Sequence, residues 1–343
     1  MQIKLITTDQ ELLELREAWN ALLDEGANCV PFLRHEYLNT WWHTRGGGEW
    51  QDGRLTVLAG YDETDQLVGV APLFQTKNLE GQLALMLLGS IQISDYLDFI
   101  ATPENLEPFL LAMLEYLTGP QAPEWELLDF YNLLDSSPSL DILRRLASQL
   151  GLKFDQQQLQ VAPALQLPGD FDTYLANINK KQRHEIRRKI RRAESGEADI
   201  RWYFVTEETD LDEKIDAFLR LMASNPEKDV FLTDVMRSQM RQSVHAAFQA
   251  GWLQLAFMEI NGEAAAAYLN FDFDNRIYVY NSGLNFDFGY YSPGWVLLAY
   301  LIQWAIDNDR QVFDFMRGDE QYKYRFGGVD QYVYRVQLRS SSG

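Results

Sequence analysis

The 343 residues carry 50 acidic against 30 basic side chains, a formal charge of −20 that opposes wholesale binding to nucleic acid or an anionic membrane and makes any local basic cluster informative. A hydrophobic fraction of 46% with 13% aromatics excludes a disordered chain, and the length predicts two domains. The lone Cys29 excludes an internal disulfide, no window approaches the roughly 18 apolar residues of a membrane span, and no HExxH, CxxC or other paired metal spacing occurs, so the expectation is a cytoplasmic protein without a metal site.

In chain order, Glu11 to Glu25 has helical spacing at Leu12, Leu15, Trp19 and Leu22, and a second aromatic helix covers His35 to Thr44. The period then falls to two. Arg54 to Tyr61 and Leu67 to Phe74 read as strands, with Leu83 to Gly89 as a third. A helix from Glu104 to Thr118, a strand at Trp125 to Phe130, a helix from Pro138 to Leu150 and a strand near Leu159 to Leu165 follow.

The second half repeats this order. Helices at Leu211 to Ala223 and Thr233 to Ala250 precede a three-strand meander with a hairpin signal at Asn261-Gly262 and a turn at Asp274-Asn275. A helix from Pro293 to Asn308, a strand at Val312 to Phe315, a short helix near Gln321 to Arg325 and a strand at Tyr332 to Leu338 complete it. The predicted class is α+β: two tandem units, each a mixed, mostly antiparallel sheet flanked by helices. The expected boundaries are an N-terminal domain at 1–168, a basic connecting helix at 169–198 and a C-terminal domain at 199–343.

The connecting segment, NINKKQRHEIRRKIRR, sets Arg187 and seven other cations against Glu185 alone. It reads either as a solvated helix or as a surface that meets an anionic ligand, and the acidity of the rest tilts the reading to the second.

The turn YYSPGW is the sharpest local signal. Ser292 suits the N-cap, Pro293 the first helical position, and Gly294 leaves backbone uncovered. The amides of Gly294, Trp295 and Val296, with the helix dipole, would favour a phosphate. The plainer alternative is a well-capped helix. The corresponding helix of the first half begins ATPENLEPF, where Glu104 neutralises the dipole that would attract an anion.

With this element order and this turn, the second half resembles the GNAT superfamily of acyl-CoA-dependent N-acyltransferases. The stretch from Trp252 to Gly328, with the basic helix, the SPG turn and the segment GDEQYKYRFGG, is similar to the branch named for CelD-like cellulose-biosynthesis proteins. The paired architecture is also similar to Fem-type aminoacyl transferases, which use aminoacyl-tRNA.

The resemblance implies acyl-CoA as co-substrate, no permanently bound cofactor, an amine acceptor, and the SPG turn as the place that receives the pyrophosphate. One glycine and a proline replace the usual several glycines, so aminoacyl-tRNA stays open as donor. A non-catalytic GNAT pair is the third reading.

In GDEQYKYRFGG, Asp319 and Glu320 can take a proton or hold an ammonium, Tyr322 or Tyr324 can protonate a thiolate, Lys323 can steady an oxyanion or a phosphate and Arg325 can pair with the donor. On a short helix Asp319, Tyr322 and Lys323 would share a face. The alternative is a salt-bridged terminal turn. Tyr280 faces the reacting carbonyl or is a sheet residue. Asp95, Tyr96 and Asp98 meet the acceptor or form a solvated strand end.

Overall fold

The computed structural model describes residues 1–340, which divide into two compact units, one of 1–160 with the final strand and one of 161–331. The first contains β1 (Gln2–Ile6), α1 (Asp9–Glu14), α2 (Arg16–Asp24), α3 (His35–Gly48), β2 (Arg54–Leu55), β3 (Val57–Tyr61), β4 (Leu67–Ala71), β5 (Leu73–Lys77), β6 (Leu83–Leu87), α4 (Pro103–Thr118), β7 (Leu127–Leu134), α5 (Pro138–Gln149) and β8 (Leu152–Val161). The second contains β9 (Ala164–Gln166), α6 (Phe171–Asn177), α7 (Lys180–Ala193), β10 (Ile200–Phe204), α8 (Glu208–Ala223), α9 (Pro226–Phe231), α10 (Asp234–Gln249), β11 (Leu253–Ile260), β12 (Glu263–Phe273), β13 (Arg276–Leu284), α11 (Pro293–Asp307), β14 (Val312–Asp314) and α12 (Gln321–Arg325). The last strand, β15 (Tyr332–Ser340), returns to the first unit.

Two strands that the sequence reads as continuous each change sheet. Val57–Tyr61 and Leu67–Ala71 join β1 in a small sheet ordered β1-β3-β4, whereas Arg54–Leu55 and Leu73–Lys77 enter a six-stranded sheet ordered β2-β5-β6-β7-β15-β8. Pro72 marks the second break, because proline has no N–H to give a ladder. The parallel pair in this sheet, β6 and β7, is joined through α4.

The second unit repeats the arrangement in the order β10-β11-β12-β13-β14-β9, antiparallel except for β13 against β14, which α11 joins. Parallel neighbours need such a crossover. The strand at Tyr332, which the sequence reading places in the second half, pairs antiparallel with β7 from Val333↔Leu134 to Leu338↔Leu128. Conversely, Ala164–Gln166 pairs with β14. Strand pairing is non-local, so periodicity marks these segments as strands without naming their partners.

Helix α11 is apolar on nearly every side and lies in the core of the second unit, with Val296, Leu297, Ile302 and Ala305 fully buried. Against it pack Ile186 of α7, Ala266 of β12, Ile277 of β13 and Phe326 beyond α12. One detail of the sheet positions the site. β13 pairs with β14 only from Arg276↔Val312 to Tyr278↔Asp314, then carries a bulge at Tyr280 and runs on to Leu284 without that neighbour. A bulge bends its strand. The two strands therefore part beyond Tyr278, and β13 runs on to Leu284, which lies against Gly294 at the start of α11.

Candidate active site at the start of helix α11

Ser292 has φ 52° and ψ 53°, a left-handed conformation outside the range a capping side chain normally uses. Its hydroxyl caps nothing. Its carbonyl instead accepts from the amides of Trp295 at 3.0 Å and Val296 at 3.1 Å, closing the first turn from within. This corrects the expected donor set: two of the three amides are already bonded, and only that of Gly294 has no partner among the described residues. Val296 is core.

Gly294 is needed for close approach. A Cβ there would stand 2.4 Å from Leu284 Cδ2, and its carbonyl accepts from the Tyr268 hydroxyl at 3.1 Å.

Positive charge reaches this turn from α7. Lys189 Nζ donates to Ser292 Oγ at 3.1 Å and lies 4.5 Å from the centre of the Trp295 ring, a cation–π distance. Burial lowers its pKa, partly offset by Glu185 at 3.7 Å. Arg192 donates to the Tyr290 carbonyl at 2.7 Å and covers that ring at 4.5 Å. The sequence reading takes Arg187 as the ligand-facing cation. Arg187 instead pairs with Asp172 at 3.2 Å, with about half its side chain exposed. The overlooked signal is helical phase: Lys189 stands three residues after Ile186 and four before Ala193, the buried stripe of α7.

Between these groups lies a cavity of about 280 Å³. Tyr268, Ser282, Leu284, Trp295, Tyr322 and Phe326 line it, together with the backbone of Ser292 to Gly294. Besides the Gly294 amide, the buried indole Nε1 of Trp295 and the Tyr322 hydroxyl in its walls lack a partner among the described residues. Burial raises the Tyr322 pKa above the usual phenol value, and the Glu320 carboxylate adds to the rise, so the hydroxyl keeps its proton across the neutral range.

Of the other residues chosen from GDEQYKYRFGG, none joins Tyr322 in the cavity wall. Helix α12 starts at Gln321, so Asp319 lies outside it and is exposed, and the expected shared face does not form. Lys323 is 2% exposed. Its Nζ donates to the carbonyls of Met316 at 2.9 Å, Arg317 at 2.7 Å and Gly318 at 3.1 Å, with Glu320 at 2.9 Å. An ammonium has three protons, and these acceptors take them all. Arg325 is exposed and donates to Gln321 Oε1 at 2.6 Å. Tyr280 stacks on Phe271 at 5.1 Å, as a sheet residue does.

In the first unit, Tyr96 and Asp98 are buried rather than solvated. Asp98 accepts from Ser137 Oγ and Ser139 Oγ, each at 2.5 Å, and from the Phe99 amide at 2.8 Å. Burial pushes its pKa up to about 6 against the pull of these donors. Asp95 is half-buried. The three do not form an open acceptor surface.

Residues 180–324 match the family model of the acetyltransferase (GNAT) domain. This stretch is a GNAT domain. The solved structure of FemX aligns with 97% of the chain and 97% of its own length at 12% identity and a TM-score of 0.64. The C-terminal domain of a putative lysylphosphatidylglycerol synthetase from Agrobacterium fabrum aligns over 98% and 93% at 9% identity and 0.56. A tandem GNAT protein from the clavulanic acid biosynthesis pathway aligns over the full length of both chains at 10% identity and 0.50. No curated protein gives a significant match.

At these identities the likeness establishes the fold, two tandem GNAT-like units of mixed sheets flanked by helices. The parting strands and the α11 turn lie within the GNAT domain itself. Among its described residues no group of three or more His, Cys, Asp or Glu is placed to hold a metal ion, and no helix of the described chain is long and apolar enough to cross a membrane.

Proposed function

We propose that the GNAT domain is an N-acyltransferase that takes its acyl group from acyl-CoA, with the amine acceptor belonging to an amino sugar or cell-envelope precursor. The observation that carries this reading is the cavity at the α11 start, open where β13 and β14 part, with Lys189 at its rim and an unpaired phenol in its wall. The donor's phosphates meet Lys189 and the Gly294 amide at the positive end of the α11 dipole. Its pantetheine arm and acyl group follow the apolar wall of Leu284, Trp295 and Phe326, where the free indole N–H bonds one of its carbonyls.

Transfer requires a neutral amine at the thioester carbon and a proton for the departing sulfur. Tyr322 is the acid. Its raised pKa keeps the proton available, and it reaches the same cavity as the donor. Lys323 acts one step removed, holding the turn Met316–Gly318 from which α12 starts.

A second reading has its own support. Because Trp295 and Val296 bond within the turn, few amides remain for a pyrophosphate, while Lys180, Lys181 and Arg191 of α7 stay exposed. This pattern suits an aminoacyl-tRNA donor held by its backbone, whose binding would fall steeply with salt.

Calorimetry with acetyl-CoA, longer acyl-CoAs and aminoacyl-tRNA, on the wild type and Lys189→Glu, tests both. Acyl-CoA binding that Lys189→Glu abolishes supports the first reading. Binding of charged tRNA alone transfers the site to the second, and no binding of any donor leaves a non-catalytic pair.

A further inference from the structure

Lys228 has an environment unlike that of the buried Lys323. It stands on α9, a six-residue helix that buries none of its side chains, yet its own Nζ is withdrawn from solvent against β13. There it donates to Asn281 Oδ1 at 2.9 Å and to the Ser282 carbonyl at 2.6 Å. Asn281 Oδ1 also accepts from the Ser282 amide, so the side chain is fixed at the first residues past the Tyr280 bulge.

Ser282 lines the cavity that Tyr322 also lines. Lys228 and Tyr322 thus approach one stretch of parted strand, the first from α9 and the second from α12.

The chemistry of the two partners is informative. Both are neutral acceptors, and no carboxylate lies within ion-pair distance of Lys228 among the described residues. A neutral amine has two N–H bonds and one lone pair, so it satisfies both acceptors and keeps the lone pair for a proton. Lys323, with three carbonyls and Glu320, has no such freedom. The one charge acting on Lys228 is Glu320, which favours the protonated form, and burial outweighs it. On its own helix, Asp229 is engaged by Arg237 at 3.5 Å and Glu227 is exposed. The resulting pKa is about 8.

Two buried carboxylates of this unit are engaged elsewhere. Asp314 is fully buried and bonded to Arg276 at 3.1 Å and to the Met316 amide. Glu259 is held by Arg201, Tyr203 and Lys214.

We propose that Lys228 is the proton acceptor for the incoming amine. This rests on the acyl-transfer reading and adds the base that reading lacks. The acceptor enters as an ammonium and gives one proton to the neutral Lys228 Nζ. Its nitrogen then bonds the acyl carbon, and the carbon–sulfur bond breaks. The sulfur takes the phenolic proton of Tyr322, and the surplus proton on nitrogen returns to the phenolate, so the proton on Lys228 is the only one released. Lys228 holds the carbonyl of Ser282 and Tyr322 lines the cavity with that residue, and two groups whose environments drive their pKa values apart are the pattern of an acid–base pair.

The test is a carbon NMR titration of the protein labelled with ¹³Cε-lysine, whose nine lysines give a tractable spectrum, from pH about 6 to about 11. Lys228→Arg assigns the signal, and Lys228→Gln does so if the arginine variant does not fold. The expected result is a midpoint near 8 and a resonance that moves when acetyl-CoA saturates the protein. A midpoint at the ordinary lysine value of about 10.4, or a resonance unmoved while acetyl-CoA binds, overturns the role of Lys228 and leaves the donor reading intact. Absence of acetyl-CoA binding in the parallel calorimetry overturns the donor reading, and this proposal with it.

Discussion

Lys189 Nζ donates to the hydroxyl of Ser292 across 3.1 Å, tying a helix 103 residues earlier in the chain to the turn that opens α11. The side chain is only 15% exposed, so its charge acts in a medium less screened than water. Lys189→Glu reverses that charge at the rim of the cavity. The expected result is coenzyme A affinity lower by about 10- to 100-fold, or about 1.4 to 3 kcal/mol, measured by calorimetry at two salt concentrations. Affinity unchanged by the substitution removes the phosphates from the α11 turn.

Gly294→Ala separates packing from charge. Its new methyl meets Leu284 at 2.4 Å, inside contact distance, so Leu284 or the turn must shift. Overpacking of this kind costs about 1 to 3 kcal/mol, read as a lowered urea midpoint at unchanged slope. For the same reason a larger residue at this position is a poor probe of phosphate binding, since it disturbs the fold first.

Lys323→Met deletes an ammonium that holds three carbonyls and leaves them, one buried and two half-buried, without that donor. The expected loss is about 2 to 4 kcal/mol of stability. Urea unfolding measures it, and a variant as stable as the wild type shows that the ammonium is held for chemistry instead.

Tyr322→Phe removes the proposed acid without altering the apolar wall. Turnover falls by about 100-fold with donor affinity retained, and the loss is smaller with a thioester whose leaving group is more acidic. Because burial raises the phenol's pKa, the wild type keeps its activity into the alkaline range instead of losing it at the usual phenol value. Equal loss with every leaving group assigns Tyr322 to binding.

Asp98 makes a prediction about pH and stability. Its folded pKa, about 6, exceeds the 3.8 of the unfolded chain, so the folded state binds more protons between these values. Its contribution is full below about 3.8 and is lost as pH rises through 6. Asp98→Asn removes this dependence. In urea unfolding over that window, the wild type should gain relative to the variant as pH falls, and parallel curves show that Asp98 does not titrate there.

How far the chain's own text reaches depends on whether the interaction is local. Periodicity locates α11, α8 and the β11 to β13 meander, because apolar spacing is a property of neighbouring residues. Pro293 and the turn at Asn261-Gly262 mark boundaries for equally local reasons. Likewise Tyr322 is identifiable as a candidate, since its phenol and the resemblance of its segment are both legible in sequence.

Tertiary structure decides the rest. Only the fold shows that Ser292 turns left-handed and spends its carbonyl on two expected donors, that Lys323 curls back onto its own loop, that Lys189 reaches the Ser292 hydroxyl from α7, and that Lys228 reaches β13 from α9. The final strand enters the sheet of the first unit by the same principle. Side-chain chemistry is written residue by residue, but burial and hydrogen-bond partners are set by contacts between distant segments, and these determine which cation is held by carbonyls, which meets a hydroxyl and which has its pKa lowered.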